Sequence, residues 1–160
     1  MLSLLVGVAA SGTANCQATV DGGPTPSPPG ASVYFVDLKN GATILPKTTI
    51  HFGLRGMAVA HAGSDKWNPG HHHLLIDTEL PPLGQEIPSD FNRLHFGAGE
   101  TEVEVDLPPG EHTLQLLFGD KRHIPHSPPV MSEPIRVTVA ESALKRARRS
   151  TPGGPAARPQ

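Results

Sequence analysis

Three consecutive imidazoles, His71, His72 and His73, run straight into the apolar segment Leu74-Leu75-Ile76-Asp77. A strand alternates its side chains between two faces. His71, His73, Leu75 and Asp77 therefore share one side, and His72, Leu74 and Ile76 share the other. Two imidazoles point away from the core and one points with it. Imidazoles at i and i+2, roughly 7 Å apart along a strand, are placed to share a divalent transition metal.

Eight of the nine histidines fall between His61 and His126, a density that an ordinary β-domain does not need. In Arg93–Phe96, Leu94 and Phe96 read as inward and His95 as outward. His112 precedes Leu114, Leu116 and Phe118 at the same parity, and His123 and His126 follow in a loop. If the triple-His strand starts at the end where that loop lies, the rings of His112, His123 and His126 gather with it at one rim. The expected ligand set is thus His71, His73, His95, His112, His123 and His126. Asp77, Asp65 or Asp120 would supply an oxygen ligand or orient a ring. Imidazole suits Cu and Zn, and with Cys16 as the sole cysteine there is no thiolate site and no disulfide framework.

Each of these readings has a plainer counterpart. A single histidine is most often a surface or hydrogen-bonded structural residue, and parity makes His72 and His112 the pair that best fits that role. Met57 and Met131 could bind Cu(I), but Met is far more often core filler. Enzyme signatures are absent: there is no Gly-rich phosphate loop, no Gly-x-Ser-x-Gly elbow and no His-Glu-x-x-His helix. A small metal-dependent hydrolase stays open as an alternative, because three histidines and a free position would suffice.

The elements that must position these residues read as β throughout. Eighteen prolines and seventeen glycines suit short strands and many turns. Val33–Asp37, Thr48–Leu54, the triple-His segment, Arg93–Phe96, Thr101–Leu107, Glu111–Phe118 and Ile135–Val139 each carry strand patterning. Met57–Ala60 reads as a continuation of the second. About seven short strands predict an immunoglobulin-like antiparallel β-sandwich over residues 32–140, with a small barrel as the alternative.

Residues 1–18 form a short apolar run with small residues after it, as in a secretory signal, and the run is too short to span a bilayer. Cys16 as a lipid carrier is a further option. Residues 19–31 read as a Pro/Gly linker. Residues 141–160 hold five of the thirteen basic and one of the fifteen acidic residues, a tail of +4 on a body of −6. An acidic body argues against nucleic acid as the partner and leaves a metal ion or another envelope protein.

The phrases Gly70–Asp77, Leu107–Leu117, Gly119–Ser132 and Phe52–Met57 closely resemble the bacterial domain of unknown function numbered 4399. The resemblance covers about Val33 to Val139. It implies an exported single-domain protein and maps onto His71, His72, His73, Asp77, His112, Asp120, His123, His126 and Pro129, while implying no activity. The chain departs from the pattern in its short leader and its long basic, proline-rich tail. Its expected function is an exported, periplasmic or secreted, binding module with a His-rich Cu or Zn site. The alternative is an envelope assembly module with a structural or pH-sensing His cluster.

Overall fold

The structure, a computed structural model, describes residues 23–59 and 70–141. The expected leader with Cys16, the loop with His61 and Asp65, and the basic tail after Glu141 lie outside the described residues. Among the described residues there is no helix, and nine strands follow one another: β1 (Ser32–Phe35), β2 (Ala42–Ile44), β3 (Lys47–Arg55), β4 (Gly70–Ile76), β5 (Arg93–Phe96), β6 (Glu102–Asp106), β7 (Gly110–Asp120), β8 (Pro125–Met131) and β9 (Ile135–Val139).

Period-two alternation makes these strands and also decides how they face. Val33 in β1, Ile50 and Phe52 in β3 and Val105 in β6 share one core with Leu74 and Ile76 in β4, Leu114, Leu116 and Phe118 in β7, and Val137 and Val139 in β9. A three-stranded sheet, β1-β3-β6, thus closes on a six-stranded one, β2-β9-β7-β4-β5, with β8 also paired to β7. The result is the expected all-β sandwich. Fully burying a Leu or Ile is worth about 1.5–3 kcal/mol. A one-residue slip of β4 would turn Leu74 and Ile76 out of the core together, so its register is firmly set.

The sandwich differs from the expectation in four respects. It has nine strands, not seven, because β2 is only three residues long and β8 is interrupted by Pro128 and Pro129. Those prolines lack the N–H a ladder needs, and β8 pairs with β7 only at Met131, Val130 and Pro125, with a bulge between Phe118 and Gly119. One pair, β2 with β9, is parallel. The continuation of β3 is not found over residues 57–59, where Gly56 at φ 74° turns the chain away and Val59 bridges to Gly70, and Ala60 lies outside the described residues. The segment read as a free linker is partly docked: Ser27 N–H donates to the Ser127 carbonyl and Ser127 N–H to the Thr25 carbonyl. Backbone pairing of that kind needs no apolar side chain, so composition does not reveal it.

Candidate metal centre

β4 lies between β7 and β5, and all seven of its residues are buried, the three histidines included. The opposite sheet covers its inner face. The outer face of a sandwich sheet normally meets water, but here Leu75 and Leu117 pack under Ile87 from the β4–β5 connection. The Ile87 N–H donates to the carbonyl of His123 and ties that connection to the β7–β8 turn. Two segments thus roof the outward-facing side chains of β4, which are His71, His73 and Leu75.

Four imidazoles meet under this roof. His73 stands opposite His95 in the β4–β5 register, and their ring centroids are 5.0 Å apart. His71 lies 5.3 Å from His95 and 5.2 Å from His123, and His95 and His123 are 4.4 Å apart. One nitrogen from each of His71, His95 and His123 falls within 4.8 Å of the other two. Some point therefore lies within about 2.8 Å of all three, against first-shell bonds of about 2.0–2.1 Å, so ring movements of under about 1 Å would complete coordination.

His123 is carried on a turn held by Asp120. The Asp120 carboxylate is buried and accepts from Thr25 Oγ1 (2.6 Å), Arg122 N–H (2.8 Å) and Ile124 N–H (3.1 Å). Burial raises its pKa, but these donors and the Arg122 charge together outweigh that and hold it below the ordinary carboxylate value. His123 itself adopts φ 58°, the left-handed conformation that brings the chain back toward β7. It lands beside Gly119, where a Cβ would stand 3.2 Å from His73 Nε2 and 3.3 Å from the His123 carbonyl carbon. Glycine at 119 is what lets the turn close over the rings. Asp120 thus shapes the turn, and Gly119 and Ile87 are positioning residues that the sequence reading missed. The Gly-Asp pair opening a polar turn was the available signal for Gly119 and Asp120; Ile87, between Glu86 and Pro88, carried none.

The electrostatics of His71, His73 and His95 follow from their burial. His73 is pushed down to about 3, first by burial and then by His95 and His123. Burial, then His123 and His95, lowers His71 against a weaker opposing pull from Asp120. Burial followed by His123 lowers His95. These three rings are neutral near pH 7 and keep a lone pair for a cation. Both nitrogens of His71, both of His73 and Nε2 of His95 are buried with no hydrogen-bond partner among the described residues. Orphaned buried polar atoms cost about 1–3 kcal/mol each. Beside the rings a cleft of about 410 Å³, lined by His73, His95, His123, Glu86, Ile87, Pro88 and Ser89, opens toward solvent.

The remaining expected ligands stand elsewhere. His112 and Asp77 sit at the other end of β4 and β7. His71 is opposite Gly119 and Ile76 opposite Leu114, so roughly 20 Å of antiparallel strand separates His112 from the cluster. His112 Nδ1–H donates to Asp77 Oδ2 (2.6 Å) and Nε2–H to the Pro108 carbonyl (2.8 Å), while Thr113 N–H donates to Asp77 Oδ1 (2.8 Å). Burial works against its charge, but Asp77 and Pro108 win and raise the pKa. His126 is turned inward on β8, stacked on Phe118 with ring centroids 5.8 Å apart and Nδ1 3.3 Å from the Phe118 carbonyl. His72 faces the same core between Phe52 and Phe118, held by Nδ1 to the Glu100 carbonyl, and burial lowers it to about 4. The expected convergence of His112, His126 and Asp77 with the triple-His strand is corrected accordingly. Strand direction removes the first and third, and parity removes His126.

Residues 50–140, which include all four clustered histidines, match the model of a family described as Domain of unknown function (DUF4399). No curated protein matches. No solved structure matches.

Proposed function

Because the chain belongs to the DUF4399 family, whose description assigns no activity, we propose from its own residues that it is an exported envelope module binding a transition metal, Zn or Cu. The ion is held on the outer face of the six-stranded sheet by His71, His95 and His123, with His73 beside them. Export rests on the apolar leader of residues 1–18, which lies outside the described residues. No helix among the described residues is long and apolar enough to cross a membrane.

The observation that carries this reading is the combination of burial and missing partners. A structural histidine in a core normally has its ring nitrogens hydrogen-bonded to backbone or carboxylate, as both nitrogens of His112 are here. Both nitrogens of His73 lack such a partner, and His71 has only a backbone contact with Asp120 that falls short of hydrogen-bond geometry. A bound cation would take the lone pairs and turn an unfavourable arrangement into a stabilising one.

The test is thermal unfolding of untagged protein stripped with chelator, with and without Zn(II) or Cu(II). A ligand at a hundred times its Kd stabilises by about 2.7 kcal/mol, which for a domain of this size moves Tm by about 10 °C. The shift should vanish in His71→Ala and in His95→Ala. An unchanged Tm with both metals, together with no metal in protein purified from its native compartment, would remove the proposal.

A further inference from the structure

Resting on that reading, we infer that the centre is closed by a fourth imidazole, His73, and that it is built for a tetrahedral d10 cation, Zn2+ foremost, and has no open position for hydrolysis. The spacing of the rings carries the argument. With a metal–nitrogen bond of about 2.05 Å and a ring centroid about 1.15 Å beyond the nitrogen, two imidazoles at a tetrahedral angle have centroids about 5.2 Å apart. At a right angle that distance is about 4.5 Å, and for opposed ligands about 6.4 Å.

The separations found are 5.3 Å for His71–His95, 5.2 Å for His71–His123, 5.0 Å for His73–His95, 6.0 Å for His73–His123 and 4.4 Å for His95–His123. Three of these five lie within about 0.2 Å of the tetrahedral value, His95–His123 is close to the right-angle value, and His73–His123 falls between the tetrahedral and opposed values. A square-planar centre would require two opposed pairs. Each of the three ways of pairing the four rings contains a separation well short of about 6.4 Å: 5.3 Å for His71–His95, 5.2 Å and 5.0 Å for His71–His123 and His73–His95, or 4.4 Å for His95–His123. Square-planar Cu(II) or Ni(II) therefore does not match the frame.

His73 also meets the requirements for a ligand individually. It is 1% exposed, both of its nitrogens lack partners, and it lies in the cleft wall with His95 and His123. Its Nε2 lies close over Gly119, where a Cβ would stand 3.2 Å away, a tight contact that glycine avoids. Catalytic zinc sites keep one position for water or substrate, and sites whose protein ligands number four do not. The absence of thiolate or thioether among the four donors favours Zn2+ over Cu+.

The probe is Co2+, which takes the place of Zn2+ and absorbs strongly in the visible only when four-coordinate. The wild-type protein should show the intense tetrahedral spectrum, and Zn2+ should displace it. His73→Leu should lower the absorption several-fold as water enters, and weaken Zn2+ binding by at least about tenfold, the effect of losing a group that merely touches a ligand. Should that variant not fold by circular dichroism, X-ray absorption on the wild-type zinc protein counts the histidines directly, four being expected. Three histidines plus water, or a Co2+ spectrum that His73→Leu leaves unchanged while His71→Leu abolishes it, overturns the fourth ligand and leaves the metal-binding proposal standing. Absence of any Co2+ or Zn2+ binding overturns both.

Discussion

Acid should unfold the metal-free protein through its buried histidines well before any carboxylate matters. His72 and His73 have folded-state values of about 4 and about 3, against 6.5 when exposed. Their folded pKa is depressed, so the unfolded state takes up protons first as pH falls below about 6.5, and stability present above that value is lost. At about pH 5 each is displaced by roughly 1.5 units, or about 2 kcal/mol, giving about 4 kcal/mol for the pair. His71, His95 and His126 move in the same direction. Asp120, held low, loses its contribution only as pH falls below about 3.8, outside this window. A domain of this size has about 5–15 kcal/mol to lose.

Urea unfolding with chelator present at pH 7, 6 and 5 measures this, since the midpoint multiplied by the slope m gives the free energy at each pH. His72 and His73 together contribute a slope that approaches about 2.7 kcal/mol per pH unit below pH 6, the limit for two protons. His72→Phe keeps a ring of similar shape between Phe52 and Phe118 and should remove about half of it. A free energy flat between pH 6.5 and 5, or a slope untouched by His72→Phe, would refute the reasoning.

Two further outcomes follow from the same geometry. Gly119→Ala sets a Cβ 3.0 Å from Ile87 Cδ1 and 3.2 Å from His73 Nε2, so it should cost about 1–3 kcal/mol in urea unfolding and weaken Zn2+ binding; wild-type affinity and stability would show that the turn closes without help from glycine. Asp77→Asn leaves His112 without its anion and, with Asp77 partly exposed, should cost about 1 kcal/mol below pH 6.5. Because the folded pKa of His112 is raised, that contribution is complete below 6.5 and fades as pH rises through the folded value; equal losses at pH 6 and pH 9 would contradict it.

Alternation in the sequence was enough to assign faces, because a period of two is a local property. It put His71, His73 and His95 outward and His72 inward, and those rings are found so arranged. Position along the sheet is not local. Whether His112 meets His123 depends on the direction in which β7 runs past β4, and antiparallel pairing sends Asp77 to His112 and His71 to Gly119. His126 was hidden for a different reason: Pro128 and Pro129 argue against a strand, so no parity could be assigned to a residue that in fact belongs to one. The Asp120 turn could be sensed from its residue types but not its aim, which depends on one left-handed residue and one missing Cβ.

The roof over the outer face is what makes the histidines a site at all. On an open sandwich face the same rings would be hydrated, their nitrogens satisfied by water and their protonation ordinary. Ile87, packed on Leu75 and Leu117, tied to the His123 carbonyl and sharing the cleft wall with His73, narrows the access of water to His73. Dehydration then does two things at once: it keeps the rings neutral, and it leaves their nitrogens without partners. Both effects are costs to the metal-free fold and both favour a cation with empty orbitals. Ile87→Ala should therefore act in opposite senses on the two. It should lose about 2–5 kcal/mol of packing, yet flatten the acid dependence by letting water reach His73. A variant that loses the packing but keeps the full acid slope would show that the rings are dehydrated by something other than this cover.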